Sequence, residues 1–254
     1  YDCDGNCTAD IDCNGDCGGD AYFDECGECV NPGESDCVTE VVNTINLSSN
    51  WNWISFNVFQ DDMSVGNVFS SIAQPNDGID NITFLKSQLD GATTWYETFG
   101  WFGSLETIEN EQMYQALLSQ PATLQFAGTP VDPSVTPIEL SSNWNWIGFL
   151  PQVPTSVSTS FGSIAIANDG VDNVNFLKSQ LDGATTWYET FGWFGSLETL
   201  IPTKGYQLLM NSPAVFFYPG DALASSDNGD VTIDNLERNS TQDLLGWNFN
   251  PREY

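Results

Sequence analysis

The stretch Phe84-Leu85-Lys86-Ser87-Gln88-Leu89-Asp90-Gly91-Ala92-Thr93-Thr94-Trp95-Tyr96 decides how this chain is read. Two apolar runs, the second rich in threonine and aromatic residues, flank an Asp-Gly pair. Asp-Gly supplies the positive φ angles of a type I′ turn, so the pattern predicts a β-hairpin. With a two-residue turn, Lys86 lies opposite Trp95 and Leu85 opposite Tyr96. The ammonium would then sit over the indole, a contact worth ~0.5–1 kcal/mol at the surface. The run continues to Thr107 and recurs without change from Phe176 to Thr199, pairing Lys178 with Trp187 in the same way.

Working outward, the identity widens into a repeat. Leu47-Ser48-Ser49-Asn50-Trp51-Asn52-Trp53-Ile54 recurs as Leu140-Ser141-Ser142-Asn143-Trp144-Asn145-Trp146-Ile147. Tyr114-Gln115 corresponds to Tyr206-Gln207, Pro121-Ala122 to Pro213-Ala214 and Gly128 to Gly220. A unit of about 92 residues is too long for one turn of a solenoid and reads as a whole domain, present twice. Short strands with frequent Gly, Asn and Asp turns predict an all-β chain of two tandem β-sandwich-like domains. The expected divisions are a cysteine-rich acidic segment over 1–40, repeats over 41–130 and 131–223, and a polar tail over 224–254. Short helices are expected around Met63–Ile72 and Val157–Ile164.

Composition narrows the function. The 254 residues carry 35 acidic against 5 basic side chains and no histidine, a formal net charge of -30. Nucleic acid needs a basic footprint, and anionic membrane surfaces disfavour this chain for the same reason. Without histidine, the Ser-His and Cys-His nucleophile pairs and histidine zinc sites are absent. Glu97 and Glu106 are the carboxylates that a glycosidase pair would need, but nothing in the sequence fixes their separation. The expectation is a non-enzymatic protein with no catalytic residues. No apolar run approaches the ~20 residues of a membrane span. The chain starts at Tyr1, as after removal of an export signal. A secreted, extracellular or cell-surface location is therefore expected.

The acids are patterned as well as numerous. Asp2, Asp4, Asn6, Asp12, Asn14, Asp16, Asp20 and Asp24 alternate with cysteine and glycine. Alternating oxygen-bearing side chains in a compact loop can converge on one hard cation, which makes calcium the expected cofactor. The competing reading is that these residues only shape turns. Asp77, Asp80, Asp169, Asp172, Asp227 and Asp230 are weaker candidates in Asn-Asp-Gly-type runs, where a plain turn is preferred. Cys3, Cys7, Cys13, Cys17, Cys26, Cys29 and Cys37 fit disulfides better than zinc, because so small and polar a segment cannot fold by apolar burial. Seven is odd, and the pairing is open. Sequons at Asn6, Asn46, Asn81 and Asn239 are candidate glycosylation sites. The aromatic groups Trp95, Tyr96, Phe99, Trp101 and Phe102, with their counterparts in the second copy, read as packing residues before sugar-stacking ones.

Three resemblances extend these readings. The N-terminal segment resembles the calcium-binding, cysteine-rich thrombospondin type 3 repeats of secreted proteins. Trp51-Asn52-Trp53-Ile54-Ser55, with Tyr206-Gln207-Leu208-Leu209 and Gly220, is similar to β-rich surface repeats of Bacteroidota-type bacteria, with Met113 departing from the pattern where the second copy has Gly205. The whole arrangement resembles subunits of extracellular helical fibrils from freshwater microbes. That last resemblance implies a structural homopolymer. A head-to-tail contact between tandem domains, repeated between chains, would not close and would give filaments. Calcium and disulfides would stabilise the joints, and Val231–Leu236 or Leu244–Phe249 of the tail would be strand donors. The alternative expectation is a monomeric adhesin or carbohydrate-binding module with glycan partners.

Overall fold

The structure is a computed structural model that describes residues 10–24, 26–33, 39–78 and 81–220. The first elements are two short strands, β1 (Tyr22–Phe23) and β2 (Cys29–Val30), paired antiparallel. The first copy of the repeat follows, with β3 (Val41–Leu47), β4 (Asn50–Ile54), β5 (Val58–Phe59), a one-turn helix α1 (Val65–Val68), β6 (Ile82–Lys86), β7 (Ala92–Tyr96), β8 (Gly100–Gly103), β9 (Tyr114–Leu118) and β10 (Ala122–Pro130). The second copy holds β11 (Ile138–Leu140), β12 (Asn143–Ile147), β13 (Thr155–Ser156), α2 (Val157–Ser160), β14 (Val174–Lys178), β15 (Ala184–Tyr188), β16 (Gly192–Gly195), β17 (Thr199–Leu200), β18 (Tyr206–Met210) and β19 (Ala214–Phe216). The described chain is therefore almost entirely β, in several antiparallel sheets.

Each copy builds the same five-stranded sheet, in the orders β4-β9-β6-β7-β8 and β12-β18-β14-β15-β16. A smaller sheet accompanies each, β3-β10-β5 in the first copy and β11-β19 in the second. Strand β3 shows why: Asn43, Ile45 and Leu47 are buried while Val42, Thr44 and Asn46 are exposed, the period of two of a half-buried strand. Residues of both sheets share one core per copy. In the first, Phe56 packs against Phe69 and Phe126 at 6.0 and 5.8 Å. In the second, Phe149 and Phe161 lie 5.3 and 6.2 Å from Tyr218.

The repeated Leu-Ser-Ser-Asn-Trp-Asn-Trp motif is a clamp. Asn50 and Asn143 take φ values of 75° and 77°, a left-handed turn that asparagine tolerates. The Asn52 amide then donates to the carbonyls of Ser48 and Asn50 and accepts from Ser48 N, and Asn145 does the same around Ser141 and Asn143. The helices are shorter than expected. Ser64 and Ser156 cap them through Asn67 N and Thr159 N, and both end after one turn at Phe69 and Phe161, which dive into the cores.

The hairpin register differs from the expected one. Lys86 pairs with Ala92, Leu85 with Thr93 and Phe84 with Thr94, and the second copy repeats this with Lys178 opposite Ala184. Ser87 widens the turn: its N–H donates to Gly91 O, and its hydroxyl accepts from Asp90 N. Gly91 keeps a positive φ of 87°, but Asp90 does not, so the loop spans five residues and Trp95 slides three places past Lys86.

Candidate functional site: a pseudo-dyad junction and two repeated faces

The two copies meet across a junction in which a set of contacts occurs twice, related by a half-turn. The Gln88 side chain reaches from the first copy to β12, donating to Trp144 O at 2.7 Å and accepting from Trp146 N at 2.6 Å. Its counterpart Gln180 reaches back to β4, donating to Trp51 O at 2.5 Å and accepting from Trp53 N at 2.8 Å. Each amide thus bonds residues i and i+2 of a sheet edge, as a neighbouring strand would. Backbone contacts follow the same rule. Ser55 N donates to Thr203 O and Gly205 N to Trp53 O, while Gly148 N donates to Glu111 O and Met113 N to Trp146 O.

The lysines cross the junction too. Lys86 lies 4.8 Å from the Trp51 ring and 5.6 Å from Trp146; Lys178 lies 4.5 Å from Trp144 and 5.8 Å from Trp53. The expected contacts with Trp95 and Trp187 are replaced by these four. Burial among the indoles pushes the Lys178 ammonium below its ordinary pKa.

A contact that is its own image under a half-turn is isologous and closes on itself. The head-to-tail geometry expected between tandem copies is not the one found inside the chain. The edges β4 and β12, which an open sheet would leave bare, are covered by this junction. Its two halves are unequal at several points, the tightest of them at Gly205. Gly205 sits against Met113 so closely that a Cβ there would lie 2.0 Å from Met113 Cγ. The Met-for-Gly departure noted in the sequence is thus one large and one small residue packed against each other.

The opposite edges stay open among the described residues: β8 pairs only with β7, and β16 only with β15. Beside each lies an aromatic surface. Tyr96, Phe99 and Phe102 are 43%, 63% and 70% exposed, and Tyr188, Phe191 and Phe194 are 43%, 64% and 70% exposed. Tyr96 stacks on Phe99 at 4.6 Å, and Tyr188 on Phe191 at 4.6 Å. The remaining aromatics of the group face inward. Trp95 and Trp187 are buried, each 5.3 Å from Trp101 or Trp193, and all four indole N–H groups are buried without a hydrogen-bond partner. The tryptophans therefore pack into the cores, while Tyr96, Phe99, Phe102 and their counterparts lie exposed on the surface of the chain.

In the N-terminal segment, Asp12 and Asp24 shape two matching loops. Asp12 Oδ1 accepts from Asn14 N and Asp16 N and its Oδ2 from Ala21 N, while Asp24 Oδ1 accepts from Cys26 N and Glu28 N. Gly15 and Gly27 supply the positive φ at the same place in each loop. Cys13 and Cys29 form a disulfide that ties the loops, and Cys17 and Cys26 are also disulfide-bonded. No group of three Asp, Glu, Cys or His side chains converges on a metal position among the described residues. Asp12 and Asp24 there serve the backbone of their own turns; Asn14, Asp16 and Asp20 are exposed. Asp2, Asp4, Asn6, Cys3, Cys7 and Cys37 lie outside the described residues, as do Asp80, Asp227, Asp230 and Asn239.

Around Asp77 and Asp169, Glu97 and Glu189 hold the turns by accepting from Gly78 N and Gly170 N, and Asp169 Oδ1 accepts from Val171 N. Asp172 is exposed beyond that turn. Asn46 is exposed on β3, and its Oδ1 accepts from Thr123; Asn81 Oδ1 accepts from Gln120. No helix of the described residues is long and apolar enough to cross a membrane. No family model matches the chain, and no curated protein or solved structure is significantly similar to it.

Proposed function

We propose that this chain is a structural subunit of an extracellular filament, made of two tandem sandwich-like domains over residues 41–130 and 131–223. One observation carries the reading: the chain bears the same open-edged, aromatic face twice, with the 24-residue block Phe84–Thr107 identical to Phe176–Thr199. An open strand edge is completed by another strand, which a sugar cannot replace. Two like faces in antiparallel register are self-complementary. A chain with one such face stops at a dimer. A chain with two, related by an internal pseudo-dyad, joins neighbours at both ends about a second dyad, and the series does not close. This replaces the head-to-tail joint with a face-to-face one.

At a net charge of -30, subunits repel, and calcium would relieve that repulsion while disulfides hold the N-terminal segment. Negative-stain microscopy of native material tests the reading: regular filaments are expected, fraying when calcium is chelated, whereas discrete particles in both conditions would overturn it. A glycan-binding module is favoured by one feature, the stacked Tyr96–Phe99 and Tyr188–Phe191 platforms. Saturable quenching of tryptophan fluorescence by an oligosaccharide, with no self-association, would select that reading.

A further inference from the structure

The contacts of β8 and β16 with the strands inside them fix which of their peptide groups point outward. Ser104 N donates to Ala92 O at 2.9 Å, and Thr94 stands opposite Phe102 two places on. Bonded pairs alternate along an antiparallel ladder, so Ala92–Ser104, Thr94–Phe102 and Tyr96–Gly100 are the bonded ones. The N–H and C=O of Trp101 and Gly103 therefore point away from β7, out of the sheet edge. In the second copy Ser196 N donates to Ala184 O at 2.8 Å, which leaves Trp193 and Gly195 outward. The side chains alternate as well. Trp101 packs inward on Phe69 and Trp95, while Phe102 is exposed on the other face.

This strand lacks the usual guards of an edge. Gly100–Gly103 holds neither charge nor proline, in a chain with 35 acidic residues. A groove of about 640 Å³ is lined by all of β8 together with Val65, Gly66 and Pro75. A Cβ on Gly66 would meet nothing within 4 Å, so α1 leaves the strand uncovered there.

We propose that β8 or β16 of one chain adds antiparallel to β8 or β16 of a neighbouring copy, with the dyad at Phe102 or its twin Phe194. This rests on the filament reading and specifies its joint. Outward residues must meet outward residues, which leaves dyads at Trp101, Phe102 or Gly103. A dyad at Phe102 sets Trp101 opposite Gly103 of the neighbour and Gly103 opposite its Trp101. Those are two bonded pairs, hence four hydrogen bonds. A dyad at Trp101 or Gly103 keeps one bonded pair within the strand, hence two. The Phe102 register also places Phe102 opposite its own image in a non-bonded pair, where Cα atoms approach to ~4.5 Å and aromatic side chains touch. No charged residue meets its like along the paired strands. Because β16 carries the same four residues, either face of one chain fits either face of the next.

Two measurements on the full chain test this register. The first is hydrogen exchange of wild type against the double variant Phe102→Asp with Phe194→Asp. Assembly should slow exchange of the Trp101, Gly103, Trp193 and Gly195 amides at least ~tenfold. The second is mild oxidation of Phe102→Cys combined with Phe194→Asp, which leaves one pairing face. The new cysteine meets its image within the ~4.4–6.8 Å that a disulfide spans, and should give a dimer linked through position 102, located by mass spectrometry. Two residues off register, the Cα atoms lie beyond ~7 Å and are not bridged. Thr94→Cys with Phe194→Asp, one strand further in, should not link. Wild-type assemblies whose Trp101 and Gly103 amides exchange as fast as in the double variant would overturn the register and leave the filament reading standing. So would Thr94→Cys linking as readily as Phe102→Cys. A wild type that does not assemble would overturn both.

Discussion

The two copies differ at several junction and core positions and agree throughout the block Phe84–Thr107, which carries the outward aromatic face together with Lys86 and Gln88 of the junction. At the junction, Met113 stands against Gly205, Gln112 against Lys204 and Ser55 against Gly148, and in the cores Phe126 has Tyr218 as its counterpart. Ser55 and Tyr218 show how such differences balance. The Ser55 hydroxyl donates to Lys204 O and accepts from Phe149 N, while on the other side Tyr218 OH donates to Gly148 O. Within Phe84–Thr107, which includes the outward aromatic face, no residue differs. A half-turn brings unlike residues into one contact, so complementary asymmetry improves that contact. Two faces that meet the same partner gain nothing from diverging.

Alkali should break this comparison most strongly. Burial raises the phenol pKa of Tyr114, Tyr206 and Tyr218 above the ordinary value, with Tyr206 adding a further rise at Tyr218. The unfolded phenols ionise near pH ~10. Above that, the folded chain holds more protons than the unfolded one, so stability present below pH ~10 is lost as pH rises. Each tyrosine contributes roughly 1.4 kcal/mol per pH unit to that loss. The second copy has two buried phenols and the first has one. Tyr218→Phe should therefore cut the slope by about a third, read from denaturant melts between pH ~9 and ~12; an unchanged slope would remove Tyr218 from the account.

Next in size is Gly205→Met, which sets two methionines against each other and should cost ~1–3 kcal/mol or more through overpacking. The reversed pair, Met113→Gly with Gly205→Met, should recover most of that loss, since it exchanges large and small across the pseudo-dyad. No recovery would mean that the two positions do not share one contact. Gln180→Ala and Gln88→Ala each remove two edge hydrogen bonds, a loss of ~1–3 kcal/mol apiece. The mirror relation demands losses of similar size, and a large inequality in thermal melts would sharpen the difference between the sides.

Local signals were legible in the sequence; contacts across the junction were not. The repeat, the all-β class, the place of a short helix in each copy and the Asn-Asp-Gly turns follow from neighbouring residues, whereas the helices' length of one turn does not. The hairpin register is not legible in the sequence because Ser87 offers the backbone an extra acceptor, which no count of flanking residues reveals. The local pairing of Lys86 with Trp95 is the only one the sequence displays, while its true partners, Trp51 and Trp146, lie in a distant strand and in the other copy. Gln88 and Gln180 look like ordinary turn residues until their reach across the junction is seen. Met113 against Gly205 was the one visible trace of that junction, since the copies disagreed there within a shared motif.

Mass photometry on wild type, on Phe102→Asp and on the double variant Phe102→Asp with Phe194→Asp tests the central claim most directly. Phe102 and Phe194 are exposed, so neither change should harm folding. Two identical outward faces predict polymers for wild type, dimers for the single variant and monomers for the double. Polymers that persist in the double variant, or a wild type that stays monomeric, would contradict the account.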